Sequence, residues 1–89
     1  MTAVQTKTVF ITGASSGIGY ATARLFQDKG WNVVATLRKP EQAEALAALP
    51  RVLCLPLDVN DRASIHAAVE KAIEHFGAID VLVNNAGYG

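Results

Sequence analysis

The sequence carries no excess of charge of either sign, a single cysteine and no long apolar run, and each absence excludes a class of protein. Eight Lys and Arg side chains balance eight Asp and Glu. This argues against a nucleic-acid or anionic-membrane binder, since such proteins normally show a clear cationic excess. No apolar run approaches the roughly 20 residues that span a bilayer, and residues 1–7 lack the basic-then-apolar order of a signal peptide. Cys54 cannot form an internal disulfide, and no Cys and His residues have the spacing of metal ligands.

These absences leave a cytoplasmic globular domain without a metal site as the expectation, and the composition supports it. Hydrophobic residues make up 51% of the 89 residues and charged ones 18%, which is too apolar for a disordered segment. A chain of this length buries about two-thirds of its unfolded surface, so one modest core is the ceiling. We therefore expect residues 1–89 to belong to a single domain.

Short β-type runs alternate with helical patterns along the chain. The predicted strands cover residues 8–12, 31–37, 52–57 and 78–83. One helical pattern starts at residue 18, a short helix covers 41–49, and a third helix has apolar residues at helical spacing from 65 to 76. Gly30 and Gly77 are expected to end the first and third helices, and Asn60 or Asp61 to begin the third. The order β-α-β-α-β-α-β with short connections predicts an α/β fold built on a Rossmann-type, doubly wound parallel sheet.

The residues of the third predicted strand indicate where this strand lies in the sheet. Residues 52–57 are apolar at every position, which is typical of a parallel sheet covered by helices on both faces. Pro56 cannot donate a ladder hydrogen bond, so we expect this strand to lie near an edge or to end there.

Residues 12–19 form a glycine-rich turn between the first strand and the first helix, where dinucleotide-binding folds hold a pyrophosphate. Gly13 would let the chain turn sharply, Gly17 would let the backbone approach the phosphates, and Gly19 would let the helix pack closely on the sheet. Backbone N–H groups and the helix dipole would hold the negative charge, aided by two serine hydroxyls. The alternative is that the glycines only shape a βα turn. The predicted cofactor-binding residues of this turn are Gly13, Ser15, Ser16, Gly17, Ile18 and Gly19.

Two motifs together carry a resemblance to a known family. Thr12-Gly13-x-x-x-Gly17-x-Gly19 follows the first strand, and Asn84-Asn85-Ala86-Gly87 follows the fourth. In this combination the chain resembles the short-chain dehydrogenase/reductase family over residues 8–89. The resemblance implies a Rossmann-fold, NAD(P)-dependent oxidoreductase that acts on alcohols or carbonyls.

The resemblance also implies roles for residues after the third and fourth strands. Asp58 would accept a hydrogen bond from the adenine amino group, and Val59 would pack on the adenine ring. Asn85, Ala86 and Gly87 would border the adenine ribose and the nicotinamide side, while the asparagines would also brace the sheet. The alternative for Asp58 is that it only caps the helix that follows.

The choice of dinucleotide is usually made at the end of the second strand. An acidic residue there would bind the ribose hydroxyls of NAD, but this sequence has Leu37 followed by Arg38 and Lys39. Arg38 could contact the 2′-phosphate of NADP with two charge-assisted hydrogen bonds. A solvated basic pair at a loop is the alternative. We predict NADP(H) as the cofactor rather than NAD(H).

The family's catalytic residues have no match in the sequence. The family uses a Tyr-x-x-x-Lys pair with an upstream Ser, all later than its Asn-Asn-Ala-Gly motif. Tyr20 lies behind the glycine turn and is followed at that spacing by Arg24, and Tyr88 has a single residue after it. We therefore predict no catalytic residue in this chain and no turnover by it alone. The expectation is the N-terminal, cofactor-binding part of a longer enzyme whose sheet is cut off here after the fourth strand, or a truncated gene product. A full-length relative is expected to be homo-oligomeric. A non-catalytic Rossmann module that binds a nucleotide or a partner chain is the alternative.

Overall fold

A computed structural model describes residues 6–14, 17–39 and 44–85. Its elements are, in chain order, β1 (Thr8–Thr12), α1 (Gly17–Asp28), β2 (Asn32–Leu37), α2 (Glu44–Ala47), β3 (Val52–Pro56), α3 (Arg62–Phe76) and β4 (Val81–Asn84). The four strands form one parallel sheet in the order β3-β2-β1-β4. The predicted doubly wound α/β fold is confirmed.

β1 is the central element of the sheet and is buried at every position. Its side chains alternate between the two faces, as the period of a strand requires. Val9 and Ile11 pack with α1 through Ala23 in one core cluster, while Phe10 packs with α3 through Ala68 in the other. The β-branched and aromatic residues of β1 suit this position, since both faces of the strand are covered.

The outer strands differ from β1 in their exposure. In the part of the chain that the structure describes, β3 pairs with β2 alone and ends with Pro56 opposite Leu37, in agreement with the predicted position near an edge. In β4 the side chain of Leu82 is 65% exposed, and within the described residues this strand pairs with β1 alone. The carboxyl ends of β1 and β4 nevertheless lie side by side, because Thr12 is in register with Asn84.

The start of β4 and the extent of α2 differ most from the prediction. β4 begins at Val81 rather than at residue 78, because the Asp80 carboxylate accepts the Thr8 N–H at 2.8 Å. The Asp80 N–H in turn donates to the Thr8 carbonyl at 2.8 Å. α2 covers only Glu44–Ala47, against a predicted 41–49, of which residues 41–43 lie outside the described part.

The predicted ends of the longer helices are borne out. Asp61, rather than Asn60, is the N-cap of α3, and its side chain accepts the Ala63 N–H at 3.0 Å. Gly77 ends the helix in the left-handed conformation with φ 91°, which a residue without Cβ adopts at no steric cost. Gly30 follows α1 with φ 89°. Within the described residues, no helix is both long and apolar enough to cross a membrane.

Candidate functional site

The glycine turn leaves β1 as the sequence predicts. Gly13 has φ 68°, a left-handed conformation that reverses the chain direction without a Cβ clash. The next residue, Ala14, is fully buried and donates its N–H to the Thr36 carbonyl at 3.0 Å. The turn is therefore fastened to the carboxyl end of β2 as well as to its own strand.

Two further glycines of the turn differ in what surrounds them. A Cβ built on Gly19 would lie 2.7 Å from the Asn85 Nδ2 and 2.9 Å from the Gly13 carbonyl carbon, and closer still to the Gly13 oxygen. α1 therefore packs against the turn too closely for any side chain at this position. Gly17 begins α1 with φ 61°, and a Cβ there would meet no atom within 4 Å. Space thus remains open at the helix N-terminus, where Ile18 is 76% exposed.

Hydrogen bonds from the end of β4 hold the turn in place. Thr12 Oγ1 donates to Asn84 Oδ1 at 2.9 Å and accepts the Asn85 N–H at 2.8 Å. The Asn85 side-chain amide donates to the Gly13 carbonyl at 3.1 Å. The predicted bracing by the two asparagines is thus visible as contacts between the two motifs. Four other predicted cofactor residues, Ser15, Ser16, Ala86 and Gly87, lie outside the described residues.

A second region of the site lies at the carboxyl ends of β2 and β3. A cleft of about 350 Å³ is lined by Arg38, Lys39, Pro56, Leu57, Asp58 and Ser64. The Leu57 N–H donates to the Leu37 carbonyl at 2.9 Å, and this bond continues the β2–β3 pairing beyond the strands. Arg38 and Asp58, which are 20 positions apart in the chain, are thereby brought to one cleft. Arg38 and Lys39 are both exposed.

Asp58 and Val59 occupy neighbouring clefts. Asp58 Oδ1 accepts the Asn60 N–H at 2.9 Å, and the Asp58 N–H donates to Ser64 Oγ at 2.9 Å. Val59, 38% exposed, lines an apolar cleft of about 390 Å³ on the α3 side of the sheet. Leu57 borders both clefts. Ser64 is a residue that sequence reasoning did not select. Its position in the first turn of a helix that begins four residues after Asp58 is the signal that could have indicated it.

Three further observations concern the reactive side chains of the described residues. No three His, Cys, Asp or Glu side chains in the described ranges are grouped to hold a metal ion. Burial raises the pKa of the half-buried Cys54 thiol above its ordinary value, which makes it a poor nucleophile. Tyr20 packs against the α1-side core. What the described residues offer is a turn fastened to two strands, open space at Gly17 and a cleft lined by two cationic side chains.

Comparisons with known proteins agree with this geometry. A family model described as short chain dehydrogenase matches residues 7–89. Short-chain dehydrogenase PC-15 of Penicillium crustosum is 47% identical over 88 residues, which cover 97% of this chain and 32% of the relative. A short-chain dehydrogenase structure from Streptomyces avermitilis matches with a TM-score of 0.86 and 38% identity, covering 92% of this chain and 31% of that one.

One similar structure contains a dinucleotide. The 3-ketoacyl-(acyl-carrier-protein) reductase from Brucella melitensis, solved in complex with NADH, matches with a TM-score of 0.81 and 34% identity. The match covers 90% of this chain and 34% of the reductase. The chain therefore spans about a third of the length of the relatives that it matches.

Proposed function

The chain belongs to the short-chain dehydrogenase family, and we propose that it is the nucleotide-binding portion of an NADP(H)-dependent oxidoreductase acting on an alcohol or carbonyl. The observation that carries this proposal is the contact between the two motifs. The Asn85 amide holds the Gly13 carbonyl, against which Gly19 packs without room for a Cβ. This packing places the N-terminus of α1 at the carboxyl edge of the sheet, where open α/β sheets bind their ligands.

The glycine turn fits a dinucleotide pyrophosphate. The first backbone N–H groups of a helix have no partner within the helix, and the helix dipole favours an anion there. A Cβ built on Gly17 would meet no atom within 4 Å, so this end of α1 has space for a ligand. We assign the pyrophosphate to this position and the adenosine half to the carboxyl ends of β2 and β3.

The preference for NADP(H) rests on the charge of the cleft beside β2. β2 ends at the apolar Leu37, so no carboxylate stands where it would bind the ribose hydroxyls and repel a 2′-phosphate. Arg38 and Lys39 instead line the cleft that also contains Asp58. The Asp58 carboxylate already accepts the Asn60 N–H, and its second oxygen would receive the adenine amino group.

The chain's own residues would bind and orient the cofactor. The nicotinamide, when bound, would supply or accept the hydride that is exchanged with the alcohol or carbonyl carbon. The sequence has no Tyr-x-x-x-Lys pair to act as general acid and base. We therefore propose that this chain by itself holds the cofactor without turning over a substrate.

A titration with reduced dinucleotides tests the proposal. We expect NADPH to raise the melting temperature of the 89-residue chain and to change in fluorescence on binding, with NADH binding more weakly. Arg38→Ala should weaken NADPH binding by about tenfold or more, since a charge-assisted hydrogen bond contributes roughly 1.5–3 kcal/mol. NADH binding should change little, because NADH has no 2′-phosphate.

Lys29→Ala is the matched control, because it removes an exposed cation just beyond the opposite end of α1. It should leave the affinity for NADPH unchanged. Equal affinities for NADH and NADPH, together with no effect of Arg38→Ala, would show that the cofactor preference is wrong. If neither dinucleotide binds, the proposal that this chain contains a nucleotide site is wrong.

A further inference from the structure

Ser64 makes a contact that helix formation does not require. It lies in the first turn of α3, and its Oγ accepts the N–H of Asp58 at 2.9 Å. The N-cap of α3 is supplied independently by Asp61, whose carboxylate accepts the Ala63 N–H at 3.0 Å. In a capping box, a side chain three residues into the helix would instead accept the N–H of the N-cap residue. Here the Asp61 N–H donates to the Asp58 carbonyl at 3.0 Å, so Ser64 is left to hold residue 58.

The contacts around Asp58 together define the direction of its side chain. Its N–H donates to Ser64, its carbonyl accepts from Asp61, and its Oδ1 accepts from the Asn60 N–H at 2.9 Å. The preceding residue, Leu57, is tied to the end of β2 at 2.9 Å. Among these bonds, the one that Ser64 accepts joins the loop to a side chain of α3. A substitution at Ser64 can therefore remove it.

Ser64 also lies within the cationic cleft. Together with Asp58 it lines the same cleft as Arg38 and Lys39, and it is neither fully buried nor fully exposed. A hydroxyl in this place can therefore act on a ligand only through the residues it holds or through direct contact at the cleft wall. Because Ser64 Oγ accepts the Asp58 N–H, the first role, an action through Asp58, is the one that we develop.

We propose that Ser64 is a positioning residue for adenine recognition: it holds the Asp58 backbone so that the free carboxylate oxygen meets the exocyclic amino group of the adenine. The inference rests on the proposed function, because it requires the adenosine half of the cofactor to lie in this cleft. Through Asp58, Ser64 would help the site to prefer adenine over a purine that lacks the exocyclic amino group.

The test compares Ser64→Thr with Ser64→Val, two nearly isosteric variants of similar helix propensity that differ in the hydroxyl. The probes are NADPH and its hypoxanthine analogue, in which a carbonyl replaces the adenine amino group. The wild type and Ser64→Thr should prefer NADPH over the analogue by about tenfold or more, as expected for one hydrogen bond of about 1.5 kcal/mol to a charged carboxylate. In Ser64→Val the preference should fall towards one, as it should in the reference variant Asp58→Ala.

Amide hydrogen exchange provides a measurement without a ligand. The Asp58 N–H should exchange faster in Ser64→Val than in Ser64→Thr, because its acceptor is gone. If Ser64→Val does not fold, Ser64→Ala replaces it, since the smaller side chain also lacks the hydroxyl.

Each outcome decides one point. If Ser64→Val binds both dinucleotides as the wild type does, or loses affinity for both equally, Ser64 does not position Asp58 for adenine and the inference is wrong. If the wild type binds neither dinucleotide, the proposed function fails for this chain and the inference fails with it. A wild type that binds both dinucleotides equally well would place the adenine amino group away from Asp58, and would overturn the inference while leaving the nucleotide site standing.

Discussion

Replacing Gly19 by alanine should destabilise the protein, although the same change at an open helical position would stabilise it. Alanine is favoured over glycine in a helix interior by about 1 kcal/mol. At Gly19 the added methyl group would lie 2.7 Å from the Asn85 Nδ2 and 2.9 Å from the carbonyl carbon of Gly13. The Gly13 contact is with backbone, which no rotamer change can relieve, so α1 must move away from the turn.

The size of the effect follows from this crowding. Overpacking of this kind typically costs about 1–3 kcal/mol. Because the new methyl group meets backbone, we take the upper end of this range, and after the gain of about 1 kcal/mol in helix propensity we expect a net loss of about 2 kcal/mol. This corresponds to a fall in Tm of roughly 8–16 °C for a domain of this size. NADPH binding should weaken as well, because the displaced helix N-terminus is the proposed position of the pyrophosphate.

Thermal denaturation followed by far-UV circular dichroism measures the effect, and Arg24 provides the matched control on the same helix. Arg24 is exposed, so alanine there should be more stable than glycine by about 1 kcal/mol. The sign of the glycine-to-alanine change should therefore be opposite at positions 19 and 24. A Gly19→Ala variant that melts at or above the wild-type temperature would refute the close packing of α1 on the turn.

A double-mutant cycle separates the two contacts. Asn85→Ala removes the amide that donates to Gly13 and also removes one of the atoms that a Cβ at Gly19 would meet. The combined variant should therefore lose less stability than the sum of the single changes. Strict additivity would show that only the Gly13 backbone resists the new methyl group.

Two further predictions concern residues outside the glycine turn. Asp80→Ala should lower the stability by about 1–3 kcal/mol, because the Thr8 N–H loses its acceptor at the start of β1. Asp80→Asn, which keeps an acceptor oxygen, should lose less, and equal melting temperatures of the two variants would contradict this role. Burial raises the pKa of Cys54, so its contribution to stability is fully present below the ordinary thiol pKa and is lost as the pH rises through the folded-state value. Iodoacetamide should accordingly alkylate the folded chain more slowly than a small free thiol at neutral pH. Cys54→Ala should remove the corresponding loss of stability at alkaline pH, and an unchanged pH profile in that variant would count against the assignment.

Much of the fold could be predicted because its signals are local. The run of β-branched and aromatic residues at Thr8–Thr12 predicts β1 at the bounds that the structure shows. Gly77 ends α3 as expected, since a helix end depends on its neighbouring residues alone. The prediction failed at the start of β4, where Asp80 takes the place of a regular ladder pair with Thr8. That contact joins residues 72 positions apart, and no local pattern indicates it.

The candidate site divides in the same way. The glycine spacing and the basic pair Arg38-Lys39 stand out in the sequence, and their roles in backbone approach and anion binding stay predictions. Ser64 was not selected from the sequence, because a serine in the first turn of a helix is usually a local cap. Its actual partner, Asp58, was found only when the loop was placed against the helix.

The sequence by itself therefore determined which segments are strands and helices and where they turn, and it predicts which side chains meet a dinucleotide. The tertiary structure decided that β1 separates β2 from β4, so that the Gly13 carbonyl receives the Asn85 amide across 72 positions of the chain. It also decided that α1 packs on the turn so closely that Gly19 admits no side chain. The physical reason is that strand order and helix docking depend on how buried side chains from distant segments fill a common core, whereas turns and caps depend on a few adjacent residues.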